Sequence, residues 1–180
     1  MVGWLATVLF VGAALVAGCG GSPASAPRTL PASAVPYLPS SLKSLSAGSL
    51  AREMQAPVLT SELGAWGFEA GSDRYFQGES RRLQVVDSRT LRFGRVGGAV
   101  AYVGFVRAHV SSIVGSFPVL KPLVSGGRSG FLAVAQECQC HLANPAFLAV
   151  LARGGVVTWL EINGPGADTR RLLSLLAAAP

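Results

Sequence analysis

The sequence predicts an α+β domain: an antiparallel sheet of about four or five strands with helices packed on one face. Two apolar runs, residues 147–151 and 156–162, flank a glycine turn at 153–155, which is typical of a β-hairpin. Between Val96 and Val114, apolar residues recur at three- and four-residue steps, which indicates an amphipathic helix. A run of hairpin-forming strands with flanking helices favours the α+β class.

Two helices are predicted before the sheet. The first is short, is interrupted by Gly48, and has its apolar side at Leu42, Leu45, Leu50 and Met54. The second begins at Pro57, which suits a first helical turn. It ends near Trp66, since Gly67 suits the position after a helix.

Strands follow in the middle of the chain. Residues 74–76 predict a short strand, and residues 83–93 a longer one with alternating apolar positions. Pro118 and Pro122 place a connection after the long helix, and residues 131–136 predict another strand. Asp168 or Thr169 suits the cap of a last helix, whose apolar residues are Leu172, Leu173, Leu175 and Leu176.

Length and composition limit the class of protein. The 180 residues suffice for one ordinary domain plus extra segments. Half of them are hydrophobic, which can fill a core and excludes a disordered chain. The net charge of +6 suits an anionic partner, either lipid headgroups or an acidic envelope polymer. Nucleic acid is a disfavoured partner if the chain is exported.

The N-terminus has the features of an export signal. Residues 1–18 carry no charged side chain, and the apolar run 4–17 is shorter than the ~20 residues of a membrane-spanning helix. It ends in Val16-Ala17-Gly18-Cys19, which resembles the lipobox of bacterial lipoproteins, and the residue usage is similar to that of actinobacterial ones.

The resemblance implies cleavage before Cys19, attachment of diacylglycerol to its thiol and, in many species, acylation of the new amine. The protein would then be held by its lipid on the extracytoplasmic face of the cell membrane. The n-region lacks the usual Lys or Arg, and an uncleaved anchor helix is the alternative.

The chain is therefore divided into a signal peptide, residues 1–18, a tether, residues 19–41, and a single globular domain, residues 42–180. Five prolines in the tether oppose both helix and inner strand. The alternative is an ordered arm that packs on the domain through Val35, Tyr37 and Leu38.

Two cysteines remain after Cys19. Cys138 and Cys140 are expected to form a disulfide in an oxidising compartment. In a regular strand their Cβ atoms would be ~6.6 Å apart, against ~3.8 Å in a disulfide, so the bond requires a bent backbone. Free thiols, or a metal or redox site with His141 and possibly His109, are the alternatives, although the spacing differs from usual zinc sites.

No established catalytic motif is found. Gly127-Arg128-Ser129-Gly130 is not a nucleophile elbow, and Gly97-Gly98 lacks the surroundings of a phosphate or dinucleotide loop. The acidic residues are few and scattered, which disfavours a carboxylate pair. A basic run could form an anionic-surface patch, or could be only a solvated surface; its members are Arg74, Arg81, Arg82, Arg89, Arg92, Arg95 and Arg107.

These observations predict an exported, membrane-anchored domain that binds a partner or ligand, without catalysis and without a cofactor. One alternative is a carrier of lipid or another small apolar ligand in a hollow between sheet and helices. Another is a thiol- or metal-dependent envelope protein that uses Cys138, Cys140 and His141. The soluble domain resembles no family that we recognise.

Overall fold

The computed structural model describes residues 26–113, 117, 119–135 and 144–180. A 3-10 turn at Ala32–Ala34 comes first. The further elements in chain order are β1 Ser40–Leu45, α1 Ala47–Glu53, α2 Leu59–Trp66, β2 Phe68–Gln77, β3 Val85–Phe93, α3 Val96–Ile113, β4 Val119–Ser125, β5 Arg128–Ala135, β6 Ala146–Arg153, β7 Val156–Asn163 and α4 Thr169–Ala178.

Within the described part of the chain, seven strands form one sheet in the order β1-β2-β3-β7-β6-β5-β4, and every neighbouring pair is antiparallel. The chain is thus an α+β protein, but the prediction of four or five strands is wrong. The two missed strands are the two edges. β1 was assigned to a helix and β4 to a connection, because both strands are largely exposed and β4 contains Pro122.

Helices cover both faces of the sheet, so the prediction of helices on one face is also wrong. On the first face, α1, α2 and α3 pack on apolar strand residues such as Leu91, Leu148 and Val150. On the second face, α4 packs on the alternate residues of the same strands, among them Leu160 and Ile162. The period-2 alternation of each strand therefore supplies two separate cores.

The segment predicted to be a tether belongs to the fold from Leu30 onward. Leu30 is 0% exposed, and Val35 and Leu38 are also buried in the core of the second face. The backbone N–H of Leu30 donates to Ser88 Oγ at 3.3 Å. We call residues 30–38 the N-terminal arm. The folded domain therefore begins before the predicted boundary at residue 42. The N-terminal arm corresponds to the alternative prediction of an ordered arm that packs on the domain.

Helix α3 is long and apolar enough, by length and composition, to cross a membrane. Its apolar side, however, packs in the core of the first face through residues that include Tyr102, Val106 and Val110. The helix is kinked at His109, whose φ and ψ are −118° and 16°. We therefore describe it as the core helix of this domain.

Candidate ligand pocket

Charged side chains replace apolar ones on part of the first face. Strand register places Lys43, Asp73, Arg89 and Trp159 side by side across β1, β2, β3 and β7. Two residues further along the strands, Asp87 of β3 is paired with Glu161 of β7, on the same face. The sheet thus builds a polar region directly beside its apolar core.

A carboxylate cluster forms where helix α1 meets this region; its acids are Glu53, Asp73, Asp87 and Glu161. Lys43 Nζ lies 2.9 Å from Glu53 Oε1 and 3.2 Å from Asp73 Oδ2. Arg89 holds Asp87 with both Nε and Nη2, the latter at 2.7 Å from Oδ2. Four carboxylates therefore face two cations, which leaves the cluster with an excess of negative charge when all are ionised.

Asp87 and Asp73 are a closely coupled buried pair. Burial raises the pKa of Asp87, the positive charge of Arg89 opposes that rise, and the negative charge of Asp73 adds to it. Asp73 is 2% exposed, and its Oδ1 has no hydrogen-bond partner among the described residues.

Glu161 differs from Asp87 because it has no cation of its own. It forms no ion pair with any other residue that the structure describes. Burial raises its pKa to about 7, and the charge of Arg89 only partly opposes this. At neutral pH its carboxyl group is therefore poised between the protonated and the ionised form.

Trp159 lies next to Glu161 and has an unused donor. Its side chain is 2% exposed, and its Nε1 has no partner in the described ranges. The Arg89 guanidinium lies over its ring, 5.1 Å from the centroid. A buried indole N–H normally finds an acceptor, so an unpaired one indicates a place that another group could occupy.

These residues line a pocket of about 200 Å³. Its described lining consists of Glu53, Met54, Arg89, Ile113, Trp159 and Glu161. Two acids, the Arg89 guanidinium and the indole give it polar groups, while Met54 and Ile113 give it an apolar side. The volume suits the end group of a ligand better than a whole drug-sized molecule, which needs ~300 Å³ or more.

Chemically, the pocket favours a cation. Once Glu161 is ionised, the carboxylates outnumber the cations, and the Glu161 carboxylate is free to accept from an ammonium or similar donor. The described lining contains no Ser, Cys or His that could act as a nucleophile beside a base. No group of three or more His, Cys, Asp or Glu within the described residues is arranged to hold a metal ion.

The arginines of the predicted patch do not share one surface. Arg89 lies on the first face within the carboxylate cluster, whereas Arg92 binds Glu69 with Nε at 2.9 Å from Oε2. Arg74 donates to Ser40 Oγ at 3.3 Å, and the Arg82 guanidinium lies over the ring of Tyr37.

The remaining members of the patch are also dispersed. Arg95 donates to the carbonyl oxygen of Ala65 near the end of α2. Arg81 and Arg107 are exposed, in the segment after β2 and on α3. His109, on the same helix, stacks on Phe105 at 4.4 Å between ring centroids.

Cys19 and the lipobox, Val16 to Gly18, lie outside the described residues, as do Cys138, Cys140 and His141. Their predicted roles in lipidation, disulfide formation or metal binding stay predictions.

The structure corrects the expectation that scattered acids disfavour a carboxylate pair. Glu53, Asp73, Asp87 and Glu161 are far apart in sequence, and the order of the strands brings them together. A signal was present, because Asp73 and Asp87 each interrupt a strand, where acids are depleted. The pairing β3 with β7, which brings in Glu161, has no local signature.

Comparisons with known proteins name no family. No protein-family model matches the chain, and no curated protein matches it. Among solved structures, the extracellular domain of PknH from Mycobacterium tuberculosis is similar at a TM-score of 0.45 and 11% sequence identity. The similarity covers 78% of this chain and 75% of that chain. At this level the likeness carries no inference about the function or location of this chain.

Proposed function

We propose that this chain is a lipid-anchored, extracytoplasmic binding domain without catalytic activity, and that its pocket takes the cationic end of a small organic ligand. The observation that carries the ligand class is Glu161, a carboxyl group of the pocket lining that forms no ion pair in the described residues. The anchor is proposed on the strength of the lipobox that ends at Cys19.

The alternative of a lipid carrier has less support. A carrier needs a hollow between sheet and helices, whereas large side chains fill both cores in the described part of the chain. Fully buried examples are Tyr102, Phe131 and Leu148 on the first face and Phe76 on the second. The pocket beside Trp159 is small and mostly polar, which suits a charged group better than an acyl chain.

The ligand class is tested with butylammonium as the probe and 1-butanol as its uncharged analogue. Calorimetric titration of the full chain in neutral detergent should show saturable binding of butylammonium and much weaker binding of butanol. Because Glu161 has a pKa of about 7, butylammonium should bind several-fold more tightly at about pH 8 than at about pH 6.

Glu161→Gln should abolish most of this affinity, because it removes the charge and keeps the shape of the side chain. Glu79→Gln is the matched control, since Glu79 is an exposed acid in the segment after β2. Equal binding of butanol, or an equal loss in both variants, would contradict the assigned ligand class.

The anchor is tested by mass spectrometry of the chain expressed in a bacterium with lipoprotein processing. The expected N-terminal peptide begins at Cys19 and carries the mass of a diacylglycerol, and Cys19→Ser should lack that modification. An unmodified Cys19 still attached to residues 1–18 would refute the anchor and leave the pocket untouched.

A further inference from the structure

A second pocket lies on the opposite face, at the hairpin end of the sheet. Because β5 pairs with β6, the turn between β4 and β5 lies beside the turn between β6 and β7. Arg128 begins β5 and Arg153 ends β6, so the two arginines are neighbours where these turns meet. Both line a pocket of about 560 Å³, together with Thr158.

Glycines allow the two guanidinium groups to converge. Gly126 and Gly127 have φ of 58° and 72°, which side-chain-bearing residues rarely adopt. A Cβ at Gly126 would lie 3.3 Å from Arg128 Nη2, and one at Gly127 would lie 4.0 Å from Arg153 Cζ. Both guanidinium groups therefore lie against the same turn.

The two positive charges have no side-chain counter-ion in the described residues. No side-chain carboxylate there forms an ion pair with Arg128 or Arg153. Burial lowers the pKa of Arg128, and the positive charge of Arg153 lowers it further. The half-buried Arg128 and the exposed Arg153 repel each other, and an anion between them would relieve that repulsion.

Arg128 also has a structural role. Its Nη2 donates to the carbonyl oxygen of Leu176 at 2.6 Å, and its Nη1 lies 3.3–3.4 Å from Thr158 Oγ1, from the carbonyl oxygen of Ala179 and from the oxygen of Pro180, the last residue of the sequence. It therefore satisfies carbonyl groups at the end of α4. Arg153 makes no such bond among the described residues, so its guanidinium is free to bind a ligand.

A buried hydroxyl lies on the same side of the sheet. Thr90 is in register with Thr158, is 3% exposed, and its Oγ1 has no partner within the described ranges. Arg92 lies on the same face, in register with Val156 of the pocket lining, but Glu69 neutralises its charge. The described lining of the pocket contains no side-chain carboxylate.

We propose that this arginine pocket, defined by Arg128, Arg153 and Thr158, is a binding site for a phosphate group. The positive charges of the two adjacent guanidinium groups balance a phosphate dianion, and the planar fork of Arg153 matches phosphate oxygens. The group is either free phosphate or the headgroup of an anionic lipid. The site lies on the face opposite the Glu161 pocket and does not depend on the function proposed for it.

Calorimetry on the full chain in neutral detergent micelles tests the proposal. One arm titrates inorganic phosphate, and the other compares micelles doped with phosphatidylglycerol against micelles doped with phosphatidylcholine. Saturable binding of inorganic phosphate supports a free-phosphate site. Binding only to the phosphatidylglycerol micelles supports a headgroup site, and binding in neither arm overturns the proposal.

Arg153→Gln should weaken the observed binding about tenfold, the effect of one lost charge-assisted hydrogen bond. It should do so without unfolding the protein, since Arg153 holds no part of α4. Arg107→Gln is the matched control, because it removes the same charge from the exposed side of α3 on the other face. An equal loss in both variants would show non-specific attraction to a basic protein and would overturn the site.

Discussion

Glu161 occupies a strand position whose neighbours on β7 are apolar, and it forms no ion pair in the described residues. A half-buried carboxyl group with a raised pKa lowers stability when it ionises. A glutamine of the same shape would avoid that cost. A glutamate at this position is therefore best explained by a functional role for its negative charge, since binding sites commonly trade stability for function.

The pH dependence of stability follows from the raised pKa of Glu161. Its pKa is about 7 in the folded chain, against an ordinary value near 4.5. As pH rises from about 4.5 to about 7, the unfolded chain releases the proton and the folded chain keeps it, so folding loses free energy. The loss is on the order of 3 kcal/mol and does not grow further above about pH 7.

Glu161→Gln should therefore raise the free energy of unfolding by up to about 3 kcal/mol at about pH 8 and leave it nearly unchanged at about pH 4. Urea denaturation at both pH values measures this. Glu79→Gln should have little effect at either pH, because Glu79 is exposed. A destabilised Glu161→Gln variant at about pH 8 would mean that the ionised carboxylate has a partner that stabilises it.

At the scale of elements, helices α2 and α3 approach so closely that one position must be glycine. A Cβ on Gly98 would lie 1.9 Å from the carbonyl oxygen of Trp66, which is backbone and cannot rotate away. Gly97, one residue earlier in the same helix, has nothing within 4 Å of its Cβ position. Substituting Gly98 therefore tests the close packing of the helices, whereas substituting Gly97 tests helix propensity alone.

Gly98→Ala should destabilise the protein by several kcal/mol or prevent folding, since α2 and α3 would have to separate. Gly97→Ala should be neutral or should stabilise by up to about 1 kcal/mol, because alanine is the better helix former. Thermal unfolding followed by circular dichroism distinguishes them. Equal melting temperatures for the two variants would show that the helices are not in this close contact.

The elements that could be predicted from the sequence are those with a buried side and clear ends. Helix α2 ends at Gly67 with φ of 77°, and the β6–β7 hairpin turns at Gly154 with φ of 57°, both as the glycines indicate. Helix α4 begins at the cap Asp168, whose carboxylate accepts from the N–H of Arg171. The edge strands β1 and β4 escaped prediction because exposed strands need no apolar alternation.

At the scale of the whole molecule, the candidate site depends on which strands become neighbours. Glu161 and Asp87 meet because β7 lies between β3 and β6, and a long chain segment separates these partners. Periodicity reports which side of a strand is buried, but it does not report which strand lies next to it. Local sequence patterns therefore could not predict that the acids would meet, or that Arg128 would lie beside Arg153.

The N-terminal arm gives the last prediction, because it decides where the domain begins. Leu30 is 0% exposed in the core of the second face, although it follows a proline-rich stretch. Leu30→Ala should lower the free energy of unfolding by about 2–5 kcal/mol, the usual effect of truncating a buried leucine. Leu42→Ala is the control, since Leu42 is 58% exposed on the edge strand β1 and should change stability by less than about 0.5 kcal/mol. Urea denaturation of both variants makes the comparison. If Leu30→Ala left the free energy of unfolding unchanged, residues 30–38 would belong to the tether and the domain would begin at about residue 40.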